Sequence, residues 1–238
     1  MYKVERAVIM AAGKGERLSP VTLTTPKPLV RVNGVRMIET AINALHINGI
    51  NEIYVVTGYL RECFGELKRE YPEIQLIENP YFDRCNNISS LYAAREHLEN
   101  AMILDGDQII RDTSVLSPEF ERSGYNAVWT EGNTDEWLMT VKNGIVTGCS
   151  RTGGSHGWRL YSISRWSAED GRRLKEHLEL EFIEKKNTGI YWDDVPMFCH
   201  PEEYELGIRE MPENAVTEID TIAELAAEDK EYLQYAEE

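Results

Sequence analysis

The residues with the most chemical potential lie in one opening stretch, VIMAAGKGERLSPVTLTTPKPLV, Val8 to Val30. A short apolar run leads into Gly13 and Gly15, and four cations follow: Lys14, Arg17, Lys27 and Arg31. Glycines at such a point can take positive φ and let backbone N–H groups come close to an anion. Pro26 and Pro28 bracket Lys27 and restrict the backbone around it, leaving a point charge suited to a phosphoryl group. Two familiar phosphate loops are excluded. The dinucleotide pattern G-x-G-x-x-G fails at Leu18, with Pro20 close behind, and the G-x-x-x-x-G-K-[ST] loop is absent. Any one of these cations could be merely solvated, but the combination after an apolar run reads as a phosphate-binding loop.

Phosphoryl chemistry on a triphosphate needs a divalent cation to neutralise charge between phosphates. Mg²⁺ suits one or two carboxylates, completed by phosphate oxygens and water. The stretch MILDGDQII offers Asp105 and Asp107 at the end of an apolar run. A second source is AVTEIDTIAEL, with Glu218 and Asp220, where Asp220-Thr221 could also start a helix as its N-cap. A third group combines aromatic and acidic residues: TDEWLM, Thr134 to Met139, and GIYWDDVPMF, Gly189 to Phe198. Trp137, Tyr191 and Trp192, with Glu136, Asp193 and Asp194, suit a cationic ligand, because aromatic faces and carboxylates both attract ammonium groups. The competing reading of each tryptophan is burial in the core.

These groups need a scaffold that brings distant segments together. Apolar β-branched runs predict strands at Val4 to Met10, Glu52 to Tyr59, Ile74 to Asn79 and Ala101 to Asp107. Helical spacing predicts helices at Met37 to Asn48, Leu60 to Glu70 and Ser89 to Leu98. This alternation implies a parallel sheet with helices on both faces, and open sheets of that kind bind ligands at the carboxyl edge. Beyond Asp107, strands are expected over Tyr125 to Glu131, Trp137 to Ser150 and Trp158 to Trp166, with a hairpin turn at Asn143-Gly144. A helix is expected from Ala168 to Glu184 and another from Thr221 to Glu238. The expected whole is an α/β fold in a single domain, residues 1–238. Residues 1–110 form a nucleotide half, and residues 111–238 an acceptor half whose mixed strands lie over the sheet's carboxyl edge.

Composition narrows the partners. The 238 residues are 42% hydrophobic, enough for a sizeable core. A net charge of −16 argues against nucleic acid or an anionic membrane as a partner and leaves small molecules. No apolar run approaches the roughly 20 residues of a membrane span, and the start MYKVERAVIM has no signal-peptide profile, so a cytoplasmic protein is expected. The four cysteines are far apart, without metal spacing, and are expected to be free, buried thiols.

The stretch MAAGKGERLSPVTLTTPKPLV also resembles the signature L-A-A-G-x-G-x-R-L…P-K of nucleotidyltransferases that make activated sugars and alcohols. The segments NNISSLY, DEWLM, IYWDD and TEID, in that order, resemble those of bacterial CTP:phosphocholine cytidylyltransferases of the LicC type. The resemblance implies a Rossmann-like nucleotidyltransferase fold and the reaction CTP plus phosphocholine giving CDP-choline plus pyrophosphate. It implies that Ala11, Ala12 and Gly13 line the base and sugar, with Asn87, Ser89 and Ser90 nearby. Gly15 and Arg17 would then hold the outer phosphates, and Lys27 would bridge the α-phosphate and the attacking phosphate. Asp107 and Asp220 would be the Mg²⁺ ligands. Phosphocholine would sit among Glu136, Trp137, Tyr191, Trp192 and Asp193. The expected mechanism is direct in-line attack, without a protein nucleophile, by a monomer or homodimer. Three other readings stay open. The acceptor could carry a primary ammonium, as 2-aminoethylphosphonate or phosphoethanolamine do; it could be a sugar 1-phosphate; or the protein could be a nucleotide sensor without catalysis.

Overall fold

The computed structural model describes residues 1–236. The principal elements, in chain order, are β1 (Arg6–Ala11), α1 (Met37–Ile47), β2 (Glu52–Thr57), α2 (Phe64–Glu70), β3 (Gln75–Glu78), α3 (Ile88–Ala93) and β4 (Ala101–Asp105). The second half adds β5 (Gly124–Thr130), β6 (Leu138–Lys142), β7 (Ile145–Ser150), β8 (Gly157–Trp166), α4 (Ala168–Glu179), β9 (Gly207–Glu210) and α5 (Ile222–Glu228).

Strands β3, β2, β1 and β4 pair in parallel, as the alternating pattern predicts. In register, Ala11 faces Thr57 and Met10 faces Asp105, so the carboxyl ends of these strands lie level. Side chains alternate across the sheet. Ala7, Ile9 and Ala11 share one core with Ile38, Ile42 and Leu45 of α1. Val8 and Met10 share the other with Ile88 and Leu91 of α3 and Leu174 and Leu178 of α4.

The second-half strands are paired into the sheet itself, and the part of β8 before Ile163 runs past the carboxyl end of β4, carrying the paired residues of β5 and β6 with it. They extend the same nine-stranded sheet, because β8 pairs antiparallel with β4 along Ile163–Leu104 to Trp166–Ala101. At ten residues, β8 is long enough to pair with β4 at one end and with β6 at the other. Strands β8, β6, β7, β9 and β5 then close on themselves, since β5 pairs with both β9 and β8. The predicted Asn143-Gly144 turn is present, with φ of 53° and 76°. The helix expected to Glu184 widens after Glu179 into a π-helical turn, Leu180–Glu184. The expected C-terminal helix is broken, with α5 ending at Glu228 and a short helix at Leu233–Ala236; residues 237–238 lie outside the described residues. The four thiols are free as expected, but each is half-buried rather than buried. No helix among the described residues is long and apolar enough to cross a membrane.

Candidate active site

A cleft of about 660 Å³ opens at the carboxyl ends of β1 and β4. It is lined by Ala11, Ala12, Gly13, Gly15, Arg17, Lys27, Asn87, Ser89, Ser90, Asp107 and Asp220. The residues assigned above to nucleotide and metal therefore share one cavity, although they span more than two hundred positions in sequence.

The loop after β1 is built around two contacts. Gly15 sits in the left-handed region at φ +62°, while Gly13 does not, so only one of the two glycines uses positive φ. A Cβ on Gly15 would stand 2.9 Å from Lys27 Cβ and 3.1 Å from Thr22 Cγ2. Gly15 thus supplies both the turn and the room in which the lysine stem lies. The Thr22 hydroxyl donates to Gly15 O at 2.9 Å and closes the loop. Pro26 and Pro28 set Lys27 in a short 3₁₀ turn, Lys27–Leu29, with its stem buried.

Lys27 Nζ donates to Asp107 Oδ2 at 2.6 Å and to Asp220 Oδ1 at 2.8 Å. Arg17 meets the same Asp220 oxygen at 2.9 Å. Burial works against the ammonium charge of Lys27, but the two carboxylates outweigh it and hold its pKa above the ordinary value. Asp107 keeps its second oxygen, Oδ1, buried and without a hydrogen-bond partner. Asp220 is free for this role because Thr221, not Asp220, caps α5: the Thr221 side chain accepts from Glu224 N at 3.2 Å. The Glu224 carboxylate returns the contact to the Asp220 and Thr221 amides at 2.7 and 2.8 Å.

Ser89 and Ser90 line the cleft but are committed locally. Asn79, fully buried, donates to their hydroxyls at 2.9 and 3.1 Å and accepts from Tyr81 N at 2.9 Å. Asn87 Oδ1 accepts from Trp192 N at 2.8 Å, and Asn86 N donates to Thr188 O at 2.8 Å. This wall of the nucleotide cleft is therefore tied to the loop that carries Tyr191 and Asp193. The sequence reading missed the wall's other members, Asn79, Phe82, Arg84 and Cys85. Its available signal was position, since the polar run ENPYFDRCNN follows β3 at the sheet's carboxyl edge.

The proposed acceptor residues form a less open group. Trp192 is corrected to a core residue: it is fully buried, with ring centroids 6.0 Å from both Tyr125 and Trp166. Trp137 and Tyr191 stay near the surface in an edge-to-face pair at 5.8 Å, and Glu136 is exposed. Phe198, given no role in the sequence reading, packs edge-on to Trp137 at 5.7 Å. Asp193 is 6% exposed, and its Oδ1 has no hydrogen-bond partner. Burial raises its pKa to about 7; the nearby Tyr125 hydroxyl, outside ordinary hydrogen-bond geometry, offsets part of the rise, and the Asp194 charge adds to it.

Other carboxyls converge on the same region. Burial, then the charges of Asp107, Asp193 and Glu218, push Asp105 well above the carboxylate range, with a Ser162 hydrogen bond as partial relief. Loss of hydration in the cleft, then the charges of Asp107, Asp220 and Glu136, raise the Glu218 pKa to about 8, an effect that the exposed position of the residue tempers. Together with Asp107 and Asp220, these carboxyls crowd one another around the two cations Lys27 and Arg17.

Comparison with known proteins agrees with this geometry. The profile of the nucleotidyl transferase family matches residues 6–125, which hold the glycine loop, Lys27 and Asp107. The chain is 39% identical to a 2-aminoethylphosphonate cytidylyltransferase of Lancefieldella rimae, covering 95% of this chain and 93% of the relative. It is 31% identical to a choline-phosphate cytidylyltransferase of Streptococcus pneumoniae, covering 91% and 93%. The solved structure of the CTP:phosphocholine cytidylyltransferase LicC from Streptococcus pneumoniae superposes with a TM-score of 0.87 at 30% identity, over 96% of this chain and 98% of that one. With the loop, the buried lysine and the paired aspartates in one cleft, the chain belongs to the nucleotidyl transferase family.

Proposed function

We propose that the cleft transfers the cytidylyl group of CTP, with Mg²⁺, to the phosphonate or phosphate of a small acceptor that carries a primary ammonium, 2-aminoethylphosphonate first among them. The observation that carries the reading is the placement of Lys27 Nζ between Asp107 and Asp220 in the cleft that the glycine loop lines. The likeness to two cytidylyltransferases over nine-tenths of the chain supports the nucleotide assignment.

The donor set fits the metal. Two carboxylates, one with a buried oxygen still unpartnered, match the one or two that Mg²⁺ uses when phosphates and water supply the rest. Among the described residues no group of three or more His, Cys, Asp and Glu is disposed to hold a metal, so the substrate's phosphates would complete the coordination. When bound, Mg²⁺ supplies charge neutralisation between the phosphates. Asp107 and Asp220 would hold it. Lys27, released from those carboxylates, meets the reacting α-phosphate and the attacking oxygen together. Arg17 and the amides of the glycine loop hold the departing pyrophosphate. The attacking phosphonate or phosphate is already largely anionic near neutral pH, so the protein needs no nucleophile. Its work is positioning and electrostatics.

The acceptor assignment rests on the balance of groups near the reacting end. Asp105, Asp193, Glu218 and Glu136 interact there with one another or with the metal-site aspartates, whereas Trp192 is withdrawn into the core. A primary ammonium donates to carboxylates; a quaternary one depends on aromatic faces. The similarity to a 2-aminoethylphosphonate enzyme points the same way. Phosphocholine is the second reading, favoured by the Trp137–Tyr191 pair and by the likeness to LicC. Pyrophosphate release measured with CTP, UTP and dTTP, with and without Mg²⁺, tests the nucleotide and the metal. Turnover that is equal with all three nucleotides, or that survives removal of Mg²⁺, would overturn the assignment.

A further inference from the structure

The loop that follows β7 places a cation where an ammonium ligand would otherwise stack. Arg151 Cζ lies 3.9 Å from the centre of the Phe198 ring and 5.9 Å from that of Trp137. The same guanidinium is ion-paired with Asp194, whose side chain is buried. The other Asp194 oxygen accepts from Tyr191 N at 2.9 Å, so that carboxylate is committed to holding the turn as well. Trp137, Tyr191, Phe198 and Asp194 thus form an aromatic and acidic box that this chain fills with its own arginine.

The arrangement is fixed by backbone as well as side chains. Thr134 and Gly154 exchange two hydrogen bonds of 2.9 Å, stapling the loop that carries Trp137 to the loop that carries Arg151. Gly153 lies at φ +71°, and a Cβ there would stand 1.8 Å from Thr134 O, so the two loops can approach this closely only with glycine at 153. The Ser150 hydroxyl bonds to Gly153 O at 2.7 Å and closes the turn around Arg151.

We infer that Arg151 is a specificity-determining residue, which occupies the aromatic box and excludes quaternary ammonium acceptors while leaving the neighbouring Asp193, with its Oδ1 unpartnered, to a primary ammonium. The inference rests on the cytidylyltransferase reading above. The physical argument is one of competition. A trimethylammonium group needs the ring faces that the guanidinium covers, and it has no N–H with which to use Asp193. A primary ammonium donates directly to Asp193 and has no need of the box. Displacing Arg151 would also leave the buried Asp194 without its counter-ion.

The test compares the wild-type protein with Arg151→Ala and Arg151→Lys. The ratio of kcat/KM for phosphocholine to kcat/KM for 2-aminoethylphosphonate is expected to rise about tenfold in Arg151→Ala, as ring faces are uncovered. It should rise less in Arg151→Lys, which keeps a charge in the box. General structural damage would lower both values together and leave the ratio unmoved, and that result would overturn the inference. A second measurement needs no turnover. Tetramethylammonium should quench tryptophan fluorescence through Trp137 in Arg151→Ala but not in the wild type; equal binding by both proteins would show that the box is open, and would overturn the inference. If the wild type releases no pyrophosphate with either acceptor, the cytidylyltransferase reading itself fails, and the acceptor role of Arg151 falls with it.

Discussion

Replacing Asp193 by asparagine should separate two effects of one carboxylate. The side chain is 6% exposed and one of its oxygens has no partner. Burial lifts its pKa from the ordinary 3.8 to about 7. Between those values the folded protein keeps a proton that the unfolded chain has released, so stability falls as pH rises through the window and levels off above it. The rise is about three pH units, and at roughly 1.4 kcal/mol per unit the ionised carboxylate destabilises the free protein by up to about 4 kcal/mol. The amide introduced by Asp193→Asn carries no charge at any pH. The variant should therefore match the wild type near pH 4 and become more stable by roughly 2–4 kcal/mol at pH 8. Glu218 titrates in both proteins and cancels in the difference, whereas Asp105, which the Asp193 charge pushes up, shifts with the substitution, so the difference reports Asp193 together with that coupling. The assay is denaturant unfolding at pH 5, 6, 7 and 8. The same variant should raise KM for 2-aminoethylphosphonate by about 10- to 100-fold, since a charged hydrogen bond to the ammonium is lost. A variant that is less stable at pH 8, or whose advantage does not grow with pH, would refute the reasoning about a buried, unsatisfied carboxylate.

Four further outcomes are expected. Lys27→Ala should lower kcat by about 100-fold or more while the protein stays folded, because its charge meets the reacting phosphate and Arg17 still neutralises Asp220; near-normal turnover would remove Lys27 from the chemistry. Gly15→Ala should destabilise by about 1 kcal/mol or more in denaturant unfolding and lower turnover, because a Cβ meets the Lys27 stem at 2.9 Å in a backbone region that favours glycine. Thr221→Ala should cost about 1 kcal/mol by loss of the helix cap, and should also weaken Mg²⁺-dependent turnover by loosening Asp220. Cys149, whose thiol is pushed up to about 12 by burial and then by the Asp193 charge, should resist alkylation at pH 8, read by mass spectrometry against Cys85 as the faster site.

The first half of the fold was legible because its signals are local. Strand β1 is a continuous apolar run, α1 repeats its apolar residues at helical spacing, and Asn48-Gly49 ends that helix, so each element declares itself within a dozen residues. The nucleotide side of the cleft was legible for the same reason, since Gly15, Pro26, Lys27 and Pro28 lie in one stretch. The course of β8 was not legible: its residues predict a strand, but only pairing decides that one end joins β4 while the other joins β6. Trp192 was misplaced because an aromatic beside two aspartates looks the same in sequence whether it faces a ligand or the core. The edge-on packing of Trp166 and the stacking of Tyr125 decide that it faces the core. The pairing of Arg151 with Phe198 was invisible because cation and ring come from separate loops, brought together only where the Thr134–Gly154 staple and the Asp194 ion pair hold them.

The central claim is that Lys27, Asp107 and Asp220 form one site that moves a cytidylyl group onto an ammonium-bearing acceptor. Its most direct test is pyrophosphate release from CTP and Mg²⁺, with 2-aminoethylphosphonate, phosphocholine or glucose 1-phosphate offered in turn. The account expects rapid release with 2-aminoethylphosphonate, slower release with phosphocholine, and none with the sugar phosphate. Release with glucose 1-phosphate and with neither ammonium acceptor would contradict it.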